Sequence, residues 1–173
     1  FMDGNRLMQR IVTALNNLFK KWFGKLAGSA PLLHAEVMPD ELLSSFVYQH
    51  DHVVTKSQTI HYTRLMPRRN PDTRRLETSV CRSTNLGEGQ VWKICTEHFD
   101  VRAPSPAIGR CVGVAEAVFK VNLQFDADGK PYPEHANVIG WQDSPATPDN
   151  EQKHYWMNQA QKMAPTFRFQ PRR

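Results

Sequence analysis

From Asn5 to Gly28 the chain reads NRLMQRIVTALNNLFKKWFGKLAG, with Met8, Ile11, Val12, Leu15, Leu18, Phe19, Trp22, Phe23 and Leu26 recurring at intervals of three and four. That period predicts an α-helix with one apolar stripe, while Arg10, Asn16, Asn17, Lys20 and Lys21 fall mostly on the rest of its circumference. Lys20, Lys21 and Lys25 lie in the last turns, where cations complement the negative end of the helix dipole, and Gly28 stops it. At about 1.5 Å per residue the helix would run about 35 Å. Gly28-Ser29-Ala30-Pro31 reads as a linker, and Pro39-Asp40-Glu41-Leu42-Leu43 predicts a brief second helix.

Further along, the period changes. Thr59 to Met66 is rich in β-formers and ends at Pro67, which cannot donate to a ladder. Leu76 to Arg82 reads as the returning strand of a hairpin whose long basic loop spans Pro67 to Arg75. Asn85 can cap a helix running to about Phe99, with Val91, Trp92, Ile94 and Cys95 inward and Gly87 and Gly89 weakening its first turns. Phe119 to Phe125 alternates cleanly as a strand, Asp126-Ala127-Asp128-Gly129 is its turn, and His135 to Trp141 is its partner. A last helix is expected from Asp149 to about Met163, with Tyr155, Trp156, Ala160 and Met163 inward. The sum is an α+β fold: a mostly antiparallel sheet with two to three packed helices, preceded by the amphipathic helix. The expected division is residues 2–28 as that helix and residues 29–173 as a single α+β domain.

Length and composition leave this picture standing. A chain of 173 residues can bury a core without staples, and 40% hydrophobic with 23% charged residues is a globular balance, although twelve prolines imply long loops. There is no run of 18 apolar residues and no apolar segment leading to a small-residue cleavage site, so a cytoplasmic protein is expected. Cys81, Cys95 and Cys111 form no CxxC pair, which suits buried thiols in a reducing compartment.

Charge changes it more. The net charge is +5, and it is uneven. Residues 2–28 hold five basic side chains against one acidic, and residues 56–82 hold seven against two, while residues 29–55 carry Glu36, Asp40, Glu41 and Asp51 with no Lys or Arg. Arg64, Arg68, Arg69, Arg74, Arg75 and Arg82 crowd the predicted hairpin, and guanidinium groups bind phosphate in a two-pronged fashion, so these six are the candidate phosphate-binding residues. The alternative is a solvated loop paired with Asp72, Glu77 and the acidic 29–55 segment. Only Tyr62 lies close by as an aromatic platform, which favours phosphate contact over base stacking.

The apolar stripe of the first helix cannot stay wet, since burying each such side chain is worth about 1.5–3 kcal/mol. It folds back on its own domain, or docks a protein partner or second copy through Met8, Ile11, Leu15, Leu18 and Trp22, or lies on a membrane surface.

Catalytic chemistry is sparsely signalled. His61 and His135 sit in predicted strands where either could meet Arg64, Arg82 or Arg110, an arrangement suited to acid–base work on a phosphodiester. No Ser/His/Asp set can be picked out, and Gly109-Arg110-Cys111-Val112-Gly113 has the wrong spacing for a phosphate-cradling loop. His50-Asp51-His52 and the Cys95/His98 pair lack a second half-site, so neither a metal nor a cofactor is expected.

The leading expectation is a non-enzymatic accessory protein that holds a phosphate-bearing ligand, nucleic acid or nucleotide, on the basic hairpin and joins a partner through residues 2–28. The alternatives are a small phosphodiester-cleaving or nucleotide-modifying enzyme using His61 or His135 with Arg82 and Arg110, and a pure interaction module of the immunity or inhibitor type.

Overall fold

The computed structural model of the chain describes residues 36–144, 147 and 149–172. The predicted first helix, with Met8, Ile11, Leu15, Leu18 and Trp22, lies outside the described residues. Nine strands run in chain order: β1 (Leu42–Val47), β2 (Val53–Val54), β3 (Thr59–Ile60), β4 (Arg68–Arg69), β5 (Leu76–Arg82), β6 (Gly109–Val114), β7 (Gln124–Asp126), β8 (His135–Ile139) and β9 (Arg168–Pro171). Among the described residues three α-helices join them: α1 (Glu88–Ile94), α2 (Glu116–Phe119) and α3 (Asp149–Met163). The sheet order is β2-β3-β9-β6-β1-β5-β8-β7, with β4 attached to β5, and every pairing is antiparallel. An α+β fold with a mostly antiparallel sheet is therefore what the described residues form. None of their helices is long and apolar enough to cross a membrane.

The central strands are covered on both faces. Leu43 and Val47 of β1, Val80 of β5, Cys111 of β6 and Ala136 and Val138 of β8 meet Ala160 and Met163 of α3 and Phe167 beyond it in the larger core. On the other face Phe46 and Cys81 join Val91 and Cys95 of the α1 segment, with Ala107 and Tyr132, in a smaller core. Close approach on the first face depends on Gly113, where an added Cβ would fall 2.7 Å from the Phe167 ring. Arg82 and Glu41, 3% and 7% exposed, form a two-pronged ion pair with both contacts at 2.8 Å; Glu41 also accepts the Met38 N–H.

Several local expectations are corrected, and tertiary contacts explain each. The predicted helix at 39–43 is instead the entry to β1, a strand buried on both faces and therefore without the alternation that marks a half-exposed one. The expected strand from Thr59 to Met66 is a strand only at Thr59–Ile60, then a 3₁₀ turn at Tyr62–Arg64. β1 and β5 pair only through Leu43↔Arg82 and Ser44↔Cys81, then diverge, and this turn fills the gap. Arg64 Nε donates to the Phe46 carbonyl at 2.9 Å, and Thr78 Oγ1 donates to the Leu65 carbonyl at 3.1 Å. β5 spans the residues expected of it, but its hairpin partner is Arg68–Arg69.

The helix expected from Asn85 begins after Gly87 and passes into a π-helical turn at Cys95–Phe99. The clean alternation at Phe119–Phe125 proves to be the end of α2, a turn with Asn122 at φ +60°, and a short β7. Val118, Val121 and Leu123 all reach the larger core from that turn, so a short apolar run satisfied either period. β8 does pair with β7, and α3 occupies Asp149–Met163 as expected.

Candidate functional site

Where β1 and β5 separate, the second face of the sheet is left open. Two adjoining cavities of about 560 and 350 Å³ occupy it. Arg64, Arg68, Ser79 and Phe99 line both. The floor is β5 and β8: Ser79 and His135 project from this face because Cys81 is paired with His135, and Ser79 lies two positions before Cys81 on the same side. The larger cavity is walled by the 98–105 segment, with His98, Phe99 and Arg102, and by Pro131 and Tyr132. Asn70, Pro71 and Glu77 bound the smaller one, where Glu77 accepts a hydrogen bond from Asn70 Nδ2.

Asp100 holds that wall in place. Its carboxylate takes the Ala107 N–H at 3.0 Å, the Cys95 thiol at 3.4 Å and the Arg172 guanidinium at 2.8 Å, and Arg172 lies over the Trp92 ring at 5.0 Å. Burial works against the Asp100 charge, but Arg172 and these donors outweigh it and keep the carboxyl below its ordinary value.

Arg64 reaches the cavity from the gap between strands. Its Nε is spent on Phe46, and it has no ion-pair partner among the described residues. Burial pushes its pKa down, and the Arg68 charge pushes the same way. Arg68 and Arg102, both exposed, also lack an ion-pair partner among the described residues. His52 lines the same cavity; burial depresses its pKa against Asp51, and Arg64, Arg68 and His61 depress it further, so its ring is neutral at neutral pH.

At the floor, Ser79 Oγ lies 2.8 Å from His135 Nε2, and His135 Nδ1 lies 2.7 Å from Asp128 Oδ1. Asp128 sits in the β7–β8 connection, where Gly129 at φ +60° turns the chain and the Lys130 N–H bonds the same carboxylate oxygen at 3.2 Å. Burial raises the Asp128 carboxyl, but the hydrogen bonds from His135 and Lys130 more than reverse this and hold it below its ordinary value. Tyr132, 4% exposed, packs its ring edge-on to His135 with centroids 5.4 Å apart, and its hydroxyl has no hydrogen-bond partner among the described residues. Burial drives that phenol's pKa far up.

The six candidate phosphate-binding arginines part company. Arg64 and Arg68 line both cavities, and Arg69 borders the smaller one. Arg69 is held by Asp143 through two 2.9 Å contacts, Arg75 by Asp126 at 2.5 Å, and Arg82 by Glu41. Arg74 is exposed at φ +62° in the turn. Of the enzyme candidates, His135 is at the floor, whereas His61 bonds Thr63 at 2.8 Å and stacks on Tyr62. Arg110 is taken up by Glu88 at 2.6 Å and Ser44 at 3.1 Å. The buried thiols of Cys81, Cys95 and Cys111 are each pushed up to about 12 by desolvation. Among the described residues no group of three or more His, Cys, Asp and Glu side chains is placed to hold a metal ion.

Sequence reasoning passed over Ser79, Asp128, Arg102 and Tyr132. In the sequence Asp128 reads only as a turn residue, and the Ser79–His135 contact needs the β5–β8 register, which no local pattern carries. No protein family, no curated protein and no solved structure matches the chain.

Proposed function

We propose that this protein binds a small phosphate-bearing ligand, of nucleotide size, in the double cavity through Arg64, Arg68 and Arg102. The observation that carries the reading is Arg64, a partly desolvated guanidinium with no counter-ion among the described residues and a wall position in both cavities. A buried cation without a partner is costly, and an anionic ligand would relieve that cost. The cavity volume suits an organic group beside the phosphate, since ligand pockets commonly enclose about 300–1,000 Å³. Arg69, Arg75 and Arg82 already have carboxylate partners, which favours one or two phosphates over a long nucleic-acid backbone. Docking of a partner or second copy through residues 2–28 remains part of the proposal, with the ligand site on the accessory protein's other portion.

Calorimetric titration with inorganic phosphate, pyrophosphate and ADP tests it. Binding should weaken as salt rises, and Arg68→Ala or Arg102→Ala should each lower affinity about 10-fold or more, as expected for loss of a charge-assisted hydrogen bond. Absence of binding by all three ligands, or variants that bind as tightly as the original, would overturn it.

A further inference from the structure

The Ser79–His135–Asp128 chain has a fixed proton order. An ionised carboxylate only accepts, so Asp128 requires the proton on His135 Nδ1. In the neutral ring that leaves the lone pair on Nε2, which faces the Ser79 hydroxyl at 2.8 Å. The imidazole is thus oriented as a base toward a hydroxyl that borders open space. Ser79 and His135 lie on adjacent strands, where the register Ser79↔Asn137 and Cys81↔His135 sets them diagonally across the β5–β8 ladder. Ser79 stands where the two cavities meet, and both contain Arg64 and Arg68.

We infer that Ser79 is the nucleophile of a phosphodiester-cleaving site, with His135 as its base and Asp128 orienting the ring. Two cavities meeting at the nucleophile fit a phosphorus with two organic substituents, one on each side. Ser79 Oγ attacks phosphorus while its proton passes to His135 Nε2. The Oγ–P bond forms, the P–O bond to the leaving alcohol breaks, and that alcohol takes the proton from His135. Water, deprotonated by the same nitrogen, then attacks the phosphorus of the phosphoserine; the new O–P bond forms, the Oγ–P bond breaks, His135 returns the proton to Ser79 Oγ, and a phosphomonoester is released. Arg64 and Arg68 neutralise the non-bridging oxygens as charge shifts onto them. The substrate class rests on the anion-binding reading above; the nucleophile does not.

Two probes on the full chain separate these. Diisopropyl fluorophosphate, which is neutral, should give one adduct per chain at Ser79 by peptide mass. The adduct should be absent in Ser79→Ala and form at least 100-fold more slowly in His135→Gln and Asp128→Asn, each checked by circular dichroism to be folded. Bis(p-nitrophenyl) phosphate should be hydrolysed by the original protein and not by Ser79→Ala, with the rate falling in Arg68→Ala. No adduct at Ser79, an adduct indifferent to His135→Gln, or turnover that survives Ser79→Ala overturns the inference. Phosphate binding without an adduct removes the nucleophile and leaves the anion site. An adduct with p-nitrophenyl acetate cleaved and the diester untouched keeps the nucleophile but overturns the phosphodiester assignment.

Discussion

The two faces of the sheet are built from alternate residues of the same strands, yet they do different work. Toward α3, β5 and β8 present Val80, Ala136 and Val138 to a closed apolar layer that includes Phe167 at 1% exposure. Toward the opposite side, the same two strands present Ser79 and His135 to a cavity lined by Arg64, Arg68 and Arg102. One face is closed by the apolar side chains of the larger core; the other stays polar and concave because the α1 segment covers only part of it. Stability should therefore reside on the first face and ligand chemistry on the second. Substitutions on the two faces should separate these properties.

The largest expected effect is on the closed face. Phe167→Ala should lower unfolding free energy by about 3–5 kcal/mol, measured by urea or guanidinium denaturation. Arg82→Met should cost about as much, because it removes the guanidinium that faces the buried Glu41 carboxylate at 2.8 Å. A smaller loss, about 1–3 kcal/mol, is expected for Gly113→Ala, whose new methyl meets the Phe167 ring. If Phe167→Ala cost no more than a substitution at an exposed arginine, the division between faces would fail.

That division was only partly legible in the sequence. α3 carried its own boundaries, and β5, with its Leu76–Arg82 span, and β8 could be read from the chain, whereas the alternation at Phe119–Phe125 misplaced β7, which holds only Gln124–Asp126. Arg64 could be flagged as a phosphate ligand by residue type alone, but nothing local says that a splayed β1–β5 pair would shelter it. Likewise Arg69 and Arg75 look identical to Arg68 until Asp143 and Asp126, distant in sequence, come to rest on them. Long-range register decides which charges are spent and which remain, and register is what a period-based reading lacks.

Acid should act on the open face in two steps. His52 has a folded pKa below its ordinary 6.5, so as pH falls below that value the unfolded chain takes up the proton first and stability drops. Asp128 and Asp100 have folded values below their ordinary 3.8, so their stabilisation is complete above that pH and is lost as pH falls through the folded values. Denaturation midpoints between pH 7 and pH 3 should show both declines. His52→Gln should abolish the first and leave the second; a first decline that persists in that variant would assign it to another group.

The smallest stability change should come from the arginines at the cavity mouth. Arg68 and Arg102 are exposed, and no carboxylate among the described residues pairs with either, so Arg68→Ala and Arg102→Ala should shift unfolding free energy by no more than about 0.5 kcal/mol. Removing Arg68 should even ease the crowding around Arg64 and His52, both of whose pKa values it lowers, so a slight gain in stability would be the clearer sign. Phosphate affinity should fall in the same proteins, measured in parallel by calorimetry. A residue that costs the fold nothing and binding a factor of about ten belongs to the ligand rather than to the fold. Equal, unchanged affinity in both variants would instead make this mouth an ordinary solvated surface and confine any chemistry to Ser79 and His135 on the floor.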